Sequence, residues 1–426
     1  MRRKSSAFNQ FCCHRRLILA LIAVLSVPIS GSANTSFDAD RATVEGLVNT
    51  FVAATNALTD NFWGASFAGS EDQYYFYTSS QQANKKNEWW WQAHAMDVII
   101  DAYRLTGEER YLQMYEQWYD GIVRFNYEHY DDDPWRNNSV DDTEWIAITL
   151  IRMYESSGNE KYLLQAQRLY DSYVITTWGP DDEAPWFGGI SWEREPKPGR
   201  KMKNACSNGP GAIIAAGLAR HSDVLSRNGR GRGRSEYEAD LRKIFEWERK
   251  YLFNQETGAV YDNINLRRTS KHVLSYNTGT FLAMAMDLYA LTHERHYLDD
   301  AILAADYTMC NLTDPATGLM NNVSWSMKGG DGGLFHGIFF RYFTRLLLCD
   351  DLPADIADRF RAFLSDNVKL AVKCLNPDVM IFSRNWLTES VGKNQPAPLT
   401  PHVTGCTLLA AQIEVTKQSK HAISDK

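Results

Sequence analysis

The sequence predicts an all-α protein, a toroid of helical hairpins. The prediction rests on a recurring tyrosine-framed motif, apolar residues at helical period around it, and a scarcity of strand signals. The motif runs Tyr, Leu or a small residue, Thr or Ser, a short polar turn, then Tyr-Leu. It occurs from Tyr103 to Tyr111-Leu112, from Tyr154 to Tyr162-Leu163 and from Tyr289 to Tyr297-Leu298, the two tyrosines at the same spacing each time. Trp145, Ile148, Leu150, Ile151 and Tyr154 lead into the second turn; Leu163, Ala166, Leu169, Tyr170 and Tyr173 follow it. Each copy is therefore one αα-hairpin. Gly107 and Gly158, in the first two turns, suit left-handed helix C-caps.

Further helical stretches fit residues 42–60, 89–105, 212–225, 239–252, 280–290, 339–349 and 356–373. About a dozen paired helices with irregular repeats and long aromatic linkers favour a closed toroid over an open solenoid. The linkers are residues 62–87, 126–140, 179–208, 252–277 and 311–337. Loops on a rigid scaffold are where binding and catalytic side chains concentrate, so these linkers are expected to build a cleft. The Gly-Arg alternation at 228–234 reads as a solvated surface insertion.

Residues 1–33 read as a signal peptide. Arg2, Arg3, Lys4, Arg15 and Arg16 precede an apolar run at 17–27, and Ser30, Gly31, Ser32 and Ala33 suit cleavage before Asn34. The run is too short to span a bilayer comfortably, and no second apolar stretch of spanning length follows. The expectation is an exported, monomeric protein, periplasmic or extracellular, with one catalytic domain at 34–415 and a loose tail at 416–426. Net charge of −7 argues against nucleic acid or an anionic membrane as partner. Cys206, Cys310, Cys349, Cys374 and Cys406 are scattered without CxxC spacing and read as buried small hydrophobes. Neither a nucleotide loop, a paired-His metal motif nor a Gly-x-Ser-x-Gly elbow stands out, so no cofactor and no catalytic metal are expected.

Asp141-Asp142-Thr-Glu-Trp145 opens an amphipathic helix at the end of a polar, aromatic linker. Cleavage of a glycosidic bond needs two carboxyl groups, one for the leaving oxygen and one for the anomeric carbon. Neighbouring residues at a helix start diverge in direction, and the helix N-terminus favours one ionised carboxylate. Mutual repulsion raises the other into a proton-donor range. Helix capping by Asp is the competing explanation of the pair. Asp131-Asp-Asp133, followed by Pro134, reads as loop.

The wider pattern resembles family 76 of the glycoside hydrolases, the endo-α-1,6-mannanases, across most of the mature chain. Its elements stand in order as Trp89-Trp-Trp91-Gln-Ala-His94, Asp141-Asp142-x-x-Trp145, Gly188-Gly189-Ile-Ser-Trp192 and Lys203-Asn204-Ala-Cys-Ser207-Asn208. Tyr261-Asp262, Tyr276-Asn277-Thr-Gly279 and Asp331-Gly332-Gly-Leu-Phe335-His336-Gly337 complete the set. The resemblance implies an (α/α)6 barrel and a retaining mechanism, with Asp141 as nucleophile and Asp142 as acid/base. His336 departs from the Lys that relatives usually carry there, which puts in doubt any substrate contact made by that side chain. Sugar rings stack on aromatic faces and their hydroxyls need planar polar partners. Trp91, Trp145 and Trp192 are platform candidates, and Asn204, Asp262 and Asn277 are hydroxyl-binding candidates. His94 and Tyr276 are further candidates for lining the cleft. Three alternatives stay open: a wall-glycan transglycosylase using the same acids, a non-catalytic glycan binder, and another α/α-barrel enzyme.

Overall fold

The computed structural model describes residues 43–65, 74–80, 89–123, 126, 133–179, 188–197, 201–265, 268–320, 330–386 and 390–424. The predicted signal peptide, Asp131, Asp132 and parts of the aromatic linkers lie outside them. Helix α1 (Val44–Phe62) leads into a short ribbon of β1 (Trp63–Ala65) and β2 (Tyr74–Phe76). Two hairpins follow, α2 (Trp89–Thr106) with α3 (Glu109–Ile122) and α4 (Val140–Ser157) with α5 (Glu160–Leu169). Strand β3 (Met202–Asn204) opens α6 (Ala205–Arg220), followed by the short α7 (Ser222–Arg227) and α8 (Arg234–Tyr251). Strands β4 (Tyr261–Asn265) and β5 (Thr269–Val273) complete an antiparallel sheet of order β3-β4-β5. The chain ends with α9 (Ser275–Thr292), α10 (Arg295–Asn311), α11 (Gly332–Leu347), α12 (Ala354–Lys373) and α13 (Leu399–Ser424).

Helices α2, α4, α6, α9, α11 and α13 pack side by side, and α13 returns to α2, closing an inner ring; α1, α3, α5, α8, α10 and α12 back it from outside. This is an (α/α)6 barrel. Hydrophobic pattern assigns the layers. Every residue of α6 from Ala205 to Ala219 is buried, as an inner helix packed on all sides requires. Outer α8 buries only a stripe through Tyr237, Leu241, Ile244 and Phe245. Small residues let inner helices touch: a Cβ on Gly279 would stand 2.8 Å from the Phe339 Cα.

The three tyrosine motifs fold alike. Gly107, Gly158 and His293 give their backbone N–H to Tyr103, Tyr154 and Tyr289 at 2.8, 2.7 and 2.8 Å. All three are left-handed, with φ of 70°, 72° and 55°. His293 shows that the turn tolerates a side chain, at a conformational cost of roughly 1–2 kcal/mol. The second tyrosines, Tyr111, Tyr162 and Tyr297, are buried.

The inner helices run parallel, so their N-termini gather at one end. His94 meets Trp145, Thr149 donates to Asp97, and Arg152 pairs with Asp101, in step along α2 and α4. Arg152 bonds Asp97 and Asp101 at 2.5 Å each, and Arg341 of α11 meets Asp101 at 2.9 Å, plugging the barrel with buried ion pairs.

Several details differ from the sequence reading. Helix α6 begins at Ala205, not after Pro210, because burial on every side outweighs the backbone bond that Pro210 cannot donate. The sixth inner helix, α13, lies beyond the last predicted helix and runs to Ser424, through much of the segment read as tail. Arg232 is no solvated arginine: it folds onto Asp171 at 3.1 Å and onto buried Asp240. Of the five cysteines read as buried, only Cys206 and Cys406 are so; Cys349 and Cys374 are half-buried and Cys310 is exposed, and none forms a disulfide among the described residues. Among the described residues no helix is long and apolar enough to cross a membrane.

Candidate active site

Five inner-helix N-termini bring the predicted residues to one end of the barrel. Asp141 and Asp142 occupy the second and third positions of α4, while Ser139 takes the cap position. The helix start is fixed by its neighbours. Val140 N–H donates to the Trp192 carbonyl at 2.9 Å, and Arg194 N–H to the Asn138 carbonyl at 2.9 Å. The pair thus sits at a helix start, where the helix dipole favours negative charge.

Asp141 is partly exposed and held by three donors. Its Oδ1 accepts the Asp142 backbone N–H at 3.1 Å; its Oδ2 accepts Trp192 Nε1 at 3.2 Å and the Cys206 thiol at 3.3 Å. Burial outweighs these donors and pushes the Asp141 carboxyl up to about 6. Asp142 is 6% exposed. On the same helix, Glu144 is fully buried with both carboxyl oxygens unbonded among the described residues, as is Glu248 of α8. Both are raised well above the ordinary carboxyl range, chiefly by burial; for Glu144 the charges of Asp141 and Glu248 add to it.

The motif segments interlock behind this pair. Buried Lys203 donates to the carbonyls of Gly188 and Gly189, the latter at 2.9 Å. Asn208 receives Ile190 N–H at 2.8 Å and returns a bond to its carbonyl at 3.2 Å. Trp192 N–H then reaches the Met202 carbonyl at 3.0 Å. Gly188 and Gly189, with φ of 81° and 79°, make the bend against Trp178 and Trp247. The loop so pinned delivers the Trp192 indole to Asp141.

An aromatic group lies beside the acids. His94 stands 4.7 Å from Trp145 and 5.3 Å, edge-on, from Trp90. Burial keeps His94 neutral, its value down to about 3. Trp145 is 2% exposed and Trp91 8%, whereas Trp90 is only partly buried. Trp91 spends its indole N–H on Asp331 Oδ1, at 2.8 Å, tying α2 to the start of α11. Trp90 is therefore the more open ring of the three consecutive tryptophans.

On the opposite wall Tyr276 stacks on Phe335 with centroids 4.2 Å apart and planes at 8°. Asn277 Nδ2 donates to Asp262 Oδ1 at 3.1 Å, and Asn263 Nδ2 to Asp262 Oδ2 at 2.7 Å. Asn204 and Asn277 each keep a buried Oδ1 without a hydrogen-bond partner among the described residues. His336 shares a 2.8 Å hydrogen bond with buried Ser275. Sequence reasoning missed Trp90, Cys206 and Asp331. The i, i+4 spacing of Trp90 and His94 could have revealed the first; the other two stand inside motif segments 203–208 and 331–337, where only their neighbours were singled out.

A helical barrel that gathers adjacent carboxyls and aromatic rings at the N-termini of its inner helices has the parts that a glycoside hydrolase uses. The chain matches the model of glycosyl hydrolase family 76 over residues 50–421 and belongs to that family. Among solved structures, it is similar to the α-1,6-mannanase from Salegentibacter sp. HEL1_6, with 28% identity, a TM-score of 0.72, and coverage of 87% of this chain and 99% of that one. An inactive variant of that mannanase, with two consecutive aspartates replaced by alanine, was solved in complex with α-1,6-mannotetrose; it has a TM-score of 0.71 at 28% identity, covering 87% and 99%. The fold is also shared with Dfg5 from Chaetomium thermophilum, with a TM-score of 0.66 at 17% identity, covering 88% and 92%. No curated protein matches the chain.

Proposed function

We propose that this protein cleaves α-1,6-mannosidic bonds within mannan by a retaining double displacement, outside the cytoplasm. The observation that carries the proposal is the anchored pair Asp141–Asp142 at the start of α4, beside the rings of Trp90, His94 and Trp145. The Salegentibacter mannanase, inactive when two consecutive aspartates are replaced, supports both the acids and the substrate.

In the first displacement an Asp141 oxygen bonds to the anomeric carbon while the bond from that carbon to O6 of the next mannose breaks. Asp142 gives its proton to the departing oxygen. In the second, Asp142 takes a proton from water, the oxygen of which attacks the anomeric carbon and releases Asp141. Trp90, the more open ring of the aromatic group, offers a stacking face for a sugar ring, backed by buried His94 and Trp145, and Asn204, Asp262 and Asn277 offer acceptors and donors for hydroxyls. Trp91 supports the site through its N–H bond rather than through an open ring face, whereas Trp192, partly exposed, holds Asp141 through its N–H and remains a platform candidate.

The test is incubation with unbranched α-1,6-mannan, following the anomeric form of the first product by NMR. The expectation is internal cleavage with an initial α product. A β product refutes retention, and products longer than the substrate indicate transfer to sugar instead of water. Asp142→Asn is expected to lose turnover by several orders of magnitude while still binding mannotetraose. A fully active Asp142→Asn refutes the assignment.

A further inference from the structure

Cys206, the second residue of α6, is 2% exposed and belongs to no disulfide. Its sulfur lies 3.3 Å from Asp141 Oδ2, the same oxygen that receives the Trp192 indole. Tyr276 lies on its other side, near enough for the two groups to influence each other's ionisation. Tyr276 in turn is braced flat against Phe335. Phe335 of α11, Tyr276 of α9 and Cys206 of α6 thus gather about the carboxylate on α4.

Proton positions in this group follow from the charges around it. The titratable groups that face the thiol are Asp141, Asp262 and Tyr276; those near Asp141 include Glu144 on its own helix. Burial, reinforced by the two aspartates, pushes the Cys206 thiol well above its usual range. Burial does the same to the Tyr276 hydroxyl. Both groups keep their protons. The thiol must then be the donor toward Asp141.

We infer that Cys206 is a positioning residue of the hydrolase, a thiol that holds Asp141 Oδ2 and so fixes which oxygen of Asp141 faces the sugar. With two donors, indole and thiol, on Oδ2 and only the Asp142 N–H on Oδ1, Oδ1 is left the freer oxygen for attack. A thiol suits this duty because it is a weak, long donor. It orients the carboxylate while withdrawing less of its negative charge than a hydroxyl would. The inference rests on the proposed double displacement with Asp141 as nucleophile.

The test compares wild type with Cys206→Ala and Cys206→Ser in kcat, KM and pH profile on α-1,6-mannan. In parallel, the Asp141 carboxyl is titrated by 13C NMR on aspartate-labelled protein, which needs no turnover. Cys206→Ala is expected to lower kcat roughly tenfold with KM unchanged, and to raise the Asp141 titration and the acid limb by roughly half a unit, as loss of one weak donor implies. Cys206→Ser is expected to recover most of kcat and return the titration to the wild-type position or below. Unchanged kcat and titration in Cys206→Ala, or equal damage in Ala and Ser variants, overturns the inference. Should Cys206→Ala fail to fold, Cys206→Val serves in its place: it too lacks the donor and should move the titration in the same direction, and no movement overturns the inference. A shifted titration in a wild-type background that cuts no mannan would refute the proposed activity while leaving the thiol contact standing.

Discussion

Glu144→Gln provides a quantitative test of the protein beneath the site. Glu144 is fully buried three residues after Asp141, its oxygens unbonded among the described residues, and a Cβ on Gly211 would stand 2.8 Å from its Oε1. Such a carboxyl folds in its protonated form, whereas in the unfolded chain it ionises above about pH 4.3. The folded state then binds the extra proton. Stability must fall as pH rises above the unfolded value, by about 1.4 kcal/mol per unit for this one group, until the folded carboxyl itself ionises. Between pH 5 and 7 the loss reaches up to about 2.7 kcal/mol. Glutamine cannot ionise, so the variant lacks this slope. An unfolding entropy of about 2.1 cal/mol/K per residue over about 380 residues converts the difference to about 3 °C in Tm. The assay is thermal unfolding of wild type and Glu144→Gln at pH 5 and pH 7. Any packing offset of the amide is common to both pH values and cancels. The wild type should lose about 3 °C more than the variant between them. Equal losses, or a larger loss in Glu144→Gln, would refute the claim that Glu144 is neutral in the folded protein.

The remaining predictions concern the acids and the barrel. If Asp141 must be ionised to attack, kcat/KM should rise with pH through about 6, where burial has placed its carboxyl; activity falling through that range would make Asp141 the proton donor. Arg152→Ala strips Asp97 and Asp101 of their shared 2.5 Å partner and should cost roughly 3–5 kcal/mol in denaturant unfolding; a loss below about 1 kcal/mol would show that Arg341 compensates alone. Trp91→Phe keeps the ring but removes the 2.8 Å bond to Asp331, and should cost about 1.5–3 kcal/mol by the same measurement. An unchanged midpoint would mean that Asp331 is satisfied without it.

The sequence by itself determined the helical hairpins, because the tyrosine spacing, turn glycines and apolar period are local properties of consecutive residues. It also determined that Asp141 and Asp142 open a helix, since the linker before them ends where the periodicity begins. It did not reveal α13, nor the true start of α6. Inner helices are covered on every side, so their apolar residues show no stripe, and Pro210 looked like a boundary. Only the tertiary structure decided which neighbours each acid has. Trp192 and Cys206 lie 51 and 65 residues from Asp141, and the barrel alone sets both against one carboxylate oxygen. Of three consecutive tryptophans, sequence favoured Trp91 as a platform; closure of the ring turned its N–H to Asp331 and left Trp90 the more open face. Local pattern is written residue by residue along the chain, whereas a carboxyl's burial and partners depend on which distant helices close around it.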